Sequence, residues 1–485
     1  MPDTATLPTP STSTAPTTSA APDWSDVQGE ILQPYADNFA AHLFIAFADP
    51  ASGAQALAGL KDLLASADQW DGPAQHHCNL ALTFAGLSAL GLPAAELNSF
   101  PYPFQVGMAG RAVILGDTMA SAPGQWDAPF GTGAIHGVVM VSGITALARD
   151  MALAEVNVVL SAAKAVIVHT EQAATLSGTG NQTKEHFGFN DGIGQPAVAS
   201  APGPSWPGQG TPMPDGTWQD LALGAFLLGY PNQLGTDAPF PASAALRANS
   251  SFMVYRKLEQ HVALFRGYIE DNKHLIGGDS ELLAAKLVGR WRSGAPLALS
   301  PDHDDPALGA DDARSDDFRY ADDADGMKVP HLAHIRRANP RDSLPADSRV
   351  QPQLHRIIRR KMPYGPWLPE GAPDDGTPRG VLFRVFNADI VSQFELVQSQ
   401  WMASGNLAGG LSTDQDVIAG LTDPPDTGDN RLGSTFAIPC CGGIKTLYGL
   451  PRFVTMKGGE YFFMPGLKAI DWIVANAAVE AGPSA

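Results

Sequence analysis

Short runs of apolar residues alternate with stretches of helical spacing along the N-terminal part of the chain. Apolar runs of about 4–8 residues are typical of strands, whereas leucine and alanine repeated three or four positions apart are typical of helices. The predicted elements are, in order, a strand at 41–49, a helix at 52–67, strands at 79–86 and 137–143, a helix at 145–163 and a strand at 164–170. This order is the split β-α-β pattern of the ferredoxin-like fold.

The second half of the chain repeats the same element types without visible repetition of sequence. The elements predicted there are strands at 225–230, 250–258, 381–388 and 461–465 and helices at 390–402 and 467–478. The Pro- and Gly-rich residues 197–218 are typical of a connection between domains. We therefore predict an α+β protein with two related domains, at 23–218 and 219–485, preceded by a disordered tail at 1–22.

Length and charge narrow the choice of function. A chain of 485 residues is longer than one hydrophobic core usually organises, which supports two domains. The net charge of -19 works against binding to nucleic acid and to anionic membrane surfaces, because both are polyanions. The sequence has no run of about 18 apolar residues and no signal-peptide pattern, so we expect no membrane span and a cytoplasmic location.

Two compositional features have ordinary explanations. The cysteines Cys78, Cys440 and Cys441 lack the spacing of a metal site or a disulfide framework and are interpreted as reduced thiols. Residues 302–325 contain ten aspartates and two arginines but lack the spacing of a calcium-binding loop. We expect this segment to be a solvated acidic insertion.

Common catalytic signatures are absent from the sequence. GTGAIHG at 131–137 lacks the glycine spacing of a dinucleotide-binding loop, and no HExxH, GxSxG or phosphate-loop motif occurs. Three other segments combine unusual polar residues with apolar flanks: HFGFNDGIGQP at 186–196, HLAHIRRANPRD at 331–342 and HRIIRRKMPYGPW at 355–367.

Each segment has an ordinary structural interpretation beside a functional one. Asp191, with glycines close by, could cap a tight turn or lie next to a flat ligand. His334 could ligate iron or zinc, with His331 as a competing candidate, but most single histidines are satisfied polar residues. Arg359 or Arg360 could form a buried salt bridge or meet an anion.

The arginines that follow His334 suggest an anionic ligand. Arg336, Arg337 and Arg341 form a cationic group that suits the carboxylates of such a ligand.

Taken together, the three segments resemble the dye-decolorizing peroxidases, a family of heme enzymes. The matching motifs are GFNDG at 188–192, HIRRANPR at 334–341 and RRKMPYG at 359–365, and weaker similarity extends from about residue 25 to 470. The resemblance implies an α+β fold of two ferredoxin-like domains, with antiparallel sheets and helices, and heme b held mainly by the C-terminal domain, one per chain.

The resemblance also implies a role for individual residues. His334 would be the axial iron ligand, Asp191 the distal acid-base residue and Arg359 the distal cation. Residues expected to contact the porphyrin, its edge or its propionates are Gly192, Ile193, Gly194, Arg256, Asn339, Pro340, Arg341 and Phe383. The hydrogen-bond acceptor of His334 stays open among Asp389, Glu395 and Glu460. Lys361 departs from relatives that carry a distal asparagine there, so its reach to the peroxide is in doubt.

The activity implied is oxidation of dyes, phenolics and similar reductants by hydrogen peroxide, through an oxoferryl porphyrin radical. Bulky dyes would need electron transfer to a surface aromatic residue, for which Trp401, Tyr320 and Tyr364 are candidates. The alternative is a heme-handling protein with incidental peroxidase activity, which would need His334 but not both Asp191 and Arg359. The natural reductant and the oligomeric state stay open.

Overall fold

A computed structural model describes residues 22–32, 34–69, 75–176, 184–344, 350–403, 415–420 and 434–477. The predicted N-terminal tail lies almost wholly outside the described residues. None of the described helices is both long and apolar enough to cross a membrane.

The described strands and helices follow one another as two α+β series. The strands are β1 (Phe39–Ala46), β2 (His76–Leu82), β3 (Gly137–Gly143), β4 (Val166–Ala174), β5 (Thr211–Pro212), β6 (Trp218–Gln219), β7 (Ser251–Gln260), β8 (Ile358–Tyr364), β9 (Gly380–Asn387), β10 (Phe436–Cys440), β11 (Gly443–Leu447) and β12 (Val454–Met464). The α-helices are α1 (Pro50–Lys61), α2 (Phe84–Ala89), α3 (Ala94–Leu97), α4 (Tyr102–Gly110), α5 (Ala112–Leu115), α6 (Ala146–Ala162), α7 (Ala244–Arg247), α8 (Val262–Asn272), α9 (Ser280–Val288), α10 (Pro306–Gly309), α11 (His334–Ala338) and α12 (Leu467–Asn476). Two π-helical segments, Val391–Glu395 and Val397–Met402, follow β9.

The first four strands form an antiparallel half-sheet in the order β4-β1-β3-β2. Helix α1 connects β1 to β2, and α6 connects β3 to β4. Thr145 caps α6 by accepting a hydrogen bond from the Ala148 N–H at 3.1 Å. The helix buries Ala148, Ala152, Val156 and Leu160, whose four-residue spacing gives it one apolar face. The order is that of a ferredoxin-like unit, as predicted.

A second antiparallel half-sheet has the same order, with β7, β8, β9 and β12 as its successive strands: β12-β7-β9-β8. The two half-sheets join into eight strands where Phe463 of β12 pairs with Leu82 of β2. The end strands β4 and β8 also lie against each other, so the sheet curves into a barrel. The predicted pair of ferredoxin-like units is therefore confirmed. The boundary at residues 218 and 219 stays a prediction.

Three local predictions need correction. Residues 225–230 do not form a strand; a 3-10 helix at Leu223–Ala225 is followed by a turn in which Gly229 has φ +87°. The segment around Arg359 forms strand β8, for which no strand was predicted. The acidic segment 302–325 is not uniformly solvated, because Asp316 and Asp323 are buried against arginine side chains.

Candidate active site

A cavity of ≈ 440 Å³ is lined by strands of both half-sheets and by all three sequence segments. Cavities of several hundred cubic ångströms with mostly apolar walls are typical of cofactor sites. Asp191 and Arg359 line the cavity together with His334. The structure thus brings together three residues that lie up to 168 positions apart in the sequence.

The alternation of β8 selects which basic side chains face Asp191. Arg359 and Lys361 lie two residues apart and share one face of the strand, whereas Arg360 points to the opposite face, the barrel interior. In the register with β9, Lys361 lies opposite Phe383, which also lines the cavity. One strand therefore supplies two cations to the site and a third to the barrel interior.

Asp191 lies on a tight loop that needs glycine. Gly192 and Gly194 have φ values of +93° and +74°, which other residues rarely adopt. Gly192 donates its N–H to Asp191 Oδ1 at 2.6 Å. Gln195 fixes the loop to β8, because its Oε1 accepts from the Arg359 N–H at 2.9 Å while its Nε2 donates to Gly192 O at 3.1 Å.

The charges around Asp191 favour its ionised form. Lys361 Nζ lies 3.6 Å from Asp191 Oδ2, and the Asp191 side chain is 42% exposed because it faces the cavity. Arg359 is held nearby by donating from Nη2 to Ile193 O at 2.8 Å. Burial raises the pKa of Asp191, but Lys361 and Arg359 outweigh burial, so the net pKa lies below its ordinary value.

His334 begins helix α11 and is oriented by a buried carboxylate. Its Nδ1 lies 3.1 Å from Asp416 Oδ1 and 3.0 Å from Asp416 Oδ2, and Asp416 is 0% exposed. Asp416 also accepts from the N–H groups of Ile418 at 2.9 Å and Ala419 at 2.6 Å, which fix the carboxylate. The ring nitrogen left for the cavity is therefore Nε2.

The competing histidine lies elsewhere. His331 Nε2 contacts Ala324 O at 2.8 Å, and among the described residues His331 is not part of the cavity wall. A carbonyl oxygen can only accept, so this nitrogen carries the proton and is not a ligand. The geometry favours His334 over His331 as the candidate metal ligand.

The three acceptors considered for His334 are wrong. Asp389 accepts from the Val391 and Ser392 N–H groups, and Glu395 binds Arg111. Glu460 accepts from the Gly131 N–H at 2.8 Å. Asp416, the acceptor that the structure contains, lies 82 residues beyond His334 and was missed.

Some of the expected porphyrin contacts line the cavity and others do not. Those that line it are Gly192, Ile193, Arg256 and Phe383. Those that do not, although all are within the described residues, are Gly194, Asn339, Pro340 and Arg341.

The proposed cationic group that follows His334, Arg336, Arg337 and Arg341, is turned away from the cavity. Arg341 donates to the carbonyls of Asp316 and Phe318 at 2.9 Å each, so it anchors the acidic segment. Arg336 binds Asp323, and Arg337 donates to a backbone carbonyl. The arginines that line the cavity instead include Arg256, Arg290 and Arg452.

The three aromatic candidates for surface oxidation are also corrected. Trp401, Tyr320 and Tyr364 are all buried, so none presents a surface to a bulky dye.

The wall around His334 fits an iron porphyrin. Its side chains are largely apolar, and they include Val288, Ile335, Ala338, Phe394, Val397, Met402 and Ile418. A neutral imidazole that donates through Nδ1 to a carboxylate has a fixed ring and a more basic Nε2, as metal-ligating histidines commonly do. The apolar wall suits the porphyrin face, and the cavity arginines suit its carboxylates.

Known proteins of one family are similar to this chain. Residues 26–175 match the family model described as the DyP dimeric alpha+beta barrel domain. A dye-decolorizing peroxidase from Mycena epipterygia is 34% identical over 433 residues, which cover 82% of this chain and 76% of that protein. The multifunctional dye peroxidase DyP2 from an Amycolatopsis species is 28% identical over 474 residues, which cover 91% of this chain and 94% of that protein.

A solved structure extends the similarity to the whole fold. A dye-decolorizing peroxidase in complex with 2,6-dimethoxyphenol matches with a TM-score of 0.79 and 28% identity, over 93% of this chain and 99% of that one. The chain thus belongs to the dye-decolorizing peroxidases, a family of heme enzymes.

Proposed function

We propose that this enzyme binds one heme b per chain and uses hydrogen peroxide to oxidise dyes, phenolics and similar aromatic reductants. The observation that carries the proposal is the single cavity that unites a carboxylate-oriented histidine with an aspartate flanked by two cations. The structure of a relative in complex with 2,6-dimethoxyphenol supports a phenolic reductant.

His334 would hold the iron through Nε2, with Asp416 fixing the ring. Heme, when bound, supplies the redox chemistry that cleaves peroxide and oxidises the reductant. The chain itself supplies orientation, an apolar wall and the proton transfers. Arg452, which lines the cavity, is our candidate for a cation that meets the propionates, whereas Arg290 also lines the cavity but already binds Asp316.

Asp191 is the proposed acid-base residue. Its carboxylate would accept a proton from one oxygen of hydrogen peroxide and return it to the other oxygen, which leaves as water. Arg359 would stabilise the negative charge that develops on the peroxide, because its guanidinium stays protonated at any working pH. Both cations also keep Asp191 ionised, so it can act as a base in acidic solution.

Replacing Lys361 by Met is expected to move the acid limb of the pH profile to higher pH. The ammonium group 3.6 Å from Asp191 favours the carboxylate, so its removal raises the pKa of Asp191. Asp191 must be deprotonated to act, so activity should be lost at acidic pH and kept near neutrality. The measurement is the rate constant for the reaction with hydrogen peroxide as a function of pH.

Lys361→Arg is the matched control for this change, because it keeps the positive charge. Its acid limb should stay close to that of the wild type. An acid limb that does not move in Lys361→Met would show that Lys361 has no influence on the base.

An absorption spectrum before and after one equivalent of hydrogen peroxide tests the proposal. We expect the purified protein to show a Soret band that changes within seconds of peroxide addition and returns when a phenolic reductant is added. A protein without a Soret band after reconstitution with hemin would contradict the assignment of His334.

Heme handling is the second candidate function. A deferrochelatase from Yersinia pestis is 30% identical over 115 residues, which cover 24% of this chain. That function would need the cavity and His334 but not Asp191 with its two cations. A Soret band with negligible peroxide turnover would favour it.

A further inference from the structure

Two buried guanidinium groups lie side by side inside the barrel, away from the Asp191 face of β8. Arg360 of β8 and Arg384 of β9 are direct register partners, so they share one face of the sheet. Arg360 is 8% exposed and Arg384 is 6% exposed. Two like charges at opposite positions repel each other, and each loses hydration on burial. Such a pair needs negative charge nearby.

The chain supplies only part of that charge. Glu30 Oε1 lies 2.7 Å from Arg384 Nη2 and forms its ion pair. Arg360 donates only to backbone carbonyls, those of Arg359 at 2.9 Å and Ile31 at 3.3 Å. No described carboxylate lies within ion-pair distance of Arg360. Among the described residues, Arg384 therefore has an ion-pair partner and Arg360 has none.

The next carboxylate in the cavity wall, Asp37, is engaged through one of its two oxygens. Asp37 Oδ2 lies 2.7 Å from His77 Nδ1 and accepts from Ser142 Oγ at 2.5 Å. Its Oδ1 has no hydrogen-bond partner among the described residues, and Asp37 forms no described ion pair with Arg360.

His42, which also faces this cluster, is neutral. Arg384 Nη1 lies 2.7 Å from His42 Nε2, and a guanidinium can only donate, so this nitrogen accepts. The proton is then on Nδ1, which donates to Tyr255 Oη at 3.0 Å. Burial and the charge of Arg384 lower the pKa of His42 well below its ordinary value, which agrees with this tautomer.

Several buried polar atoms of the cluster lack hydrogen-bond partners. They are Nε of Arg360, Nε of Arg384, Oε2 of Glu30, Oδ1 of Asp37 and the Tyr35 hydroxyl, and all five residues line the cavity. A buried donor without an acceptor costs free energy, so a native site normally supplies one. Burial also lowers the pKa of Arg360 to about 10, as expected for a guanidinium with too little negative charge around it.

We propose that the barrel interior holds a small monovalent anion between Arg360 and Arg384. The anion would accept from the two free Nε–H groups and balance the second guanidinium charge. A water molecule, or the hydroxyl of an oxyanion such as hydrogencarbonate, would donate to Glu30 Oε2. The anion site lies in the same cavity as the proposed peroxide site but on the opposite face of β8 from Arg359 and Lys361.

Crystals of the holoenzyme soaked in sodium bromide give the direct test. We expect an anomalous bromide peak in contact with Nε of Arg360 and Nε of Arg384. The Soret band of the soaked protein should be unchanged, which separates this site from binding at the heme. Bromide found only at surface positions, or only at the iron, would overturn the proposal. A protein that binds no heme can still show the peak, so the two proposals fail independently.

Thermal unfolding at constant ionic strength identifies the source of the anion. Sodium bromide, chloride and hydrogencarbonate are compared with sodium gluconate, whose anion is bulky. We expect a saturating rise in Tm of about 1–2 °C with the small anions. A larger rise with hydrogencarbonate than with the halides would identify an oxyanion site, and the reverse would identify a halide site. Equal Tm values in all four salts would contradict the proposal.

Arg360→Met should lose both the bromide peak and the anion dependence of Tm, since Glu30 alone then balances Arg384. Arg149→Met is the control, because Arg149 binds Asp150 on helix α6, away from the cavity wall. It should keep the anion dependence. An Arg360→Met protein with the wild-type dependence would overturn the site. If that variant does not fold, the bromide map of the wild type decides alone.

Discussion

Replacing Asp191 by Asn is expected to slow the reaction with hydrogen peroxide by about 10²–10⁴-fold, the usual contribution of a positioned acid-base group. Asn keeps the side-chain size and can still accept from the Gly192 N–H, but it cannot take a proton from peroxide. Since His334 and Asp416 are untouched, heme content and the resting spectrum should match those of the wild type. Stopped-flow measurement of the Soret change after mixing with peroxide gives the rate.

Asp215→Asn serves as the control, because Asp215 is an exposed turn residue whose carboxylate binds the Thr217 hydroxyl and N–H. This variant should react with peroxide at the wild-type rate. If Asp191→Asn also reacts at the wild-type rate while heme is bound, the proton acceptor is another group. Glu185 would then be the next carboxylate to test, since it lines the same cavity.

The two cations next to Asp191 determine the direction in which its pKa is shifted. Burial alone would raise its pKa and weaken it as a base in acid, yet Lys361 and Arg359 reverse that effect. Both cations come from one face of β8, so a single strand fixes their spacing. The same strand carries Arg360 to the barrel interior, where the charge has to be balanced separately.

The sheet pattern could be predicted because each ferredoxin-like unit contains apolar strands of ordinary composition. Strand β3 coincides with the predicted 137–143, and β9 is shifted by one residue from the predicted 381–388. Strand β8 could not be predicted in the same way, because three consecutive basic residues, Arg359, Arg360 and Lys361, hide its alternation. Arg359 and Lys361 are tolerated there because they face the cavity and Asp191, and Arg360 donates to the carbonyls of Arg359 and Ile31 on the other face.

The partner of His334 lay beyond the reach of local sequence patterns. Asp416 is separated from its histidine by 82 residues, and the DQD sequence around it has no feature that distinguishes a buried carboxylate from a surface one. For the arginines that follow His334, the local sequence pattern was misleading. Their number suggested a ligand, but Asp316 and Asp323 of the acidic segment already bind two of them. The buried aspartates of the acidic segment are therefore ion-pair partners of the arginines that follow His334.

Replacing His334 by Ala is expected to remove most of the bound heme, or to leave it with a shifted Soret band, because the proposed iron ligand is lost. His331→Ala is the matched control, since that histidine lies three positions earlier and its Nε2 contacts the Ala324 carbonyl. It should retain the wild-type heme content and spectrum. The measurement is the ratio of heme to protein after gel filtration, together with the absorption spectrum.

Asp416→Asn is expected to have a smaller effect on heme binding than His334→Ala. It keeps the ligand but replaces the carboxylate that orients it, and loss of such an outer partner typically costs about 10–100-fold in affinity or activity.

External imidazole should restore a histidine-like spectrum to His334→Ala, because it fills the space that the side chain leaves. The same addition should do little for Asp416→Asn, in which the ring is still present. An unaltered Soret band in His334→Ala would assign the iron to another residue and would leave the Asp416 contact without its proposed purpose.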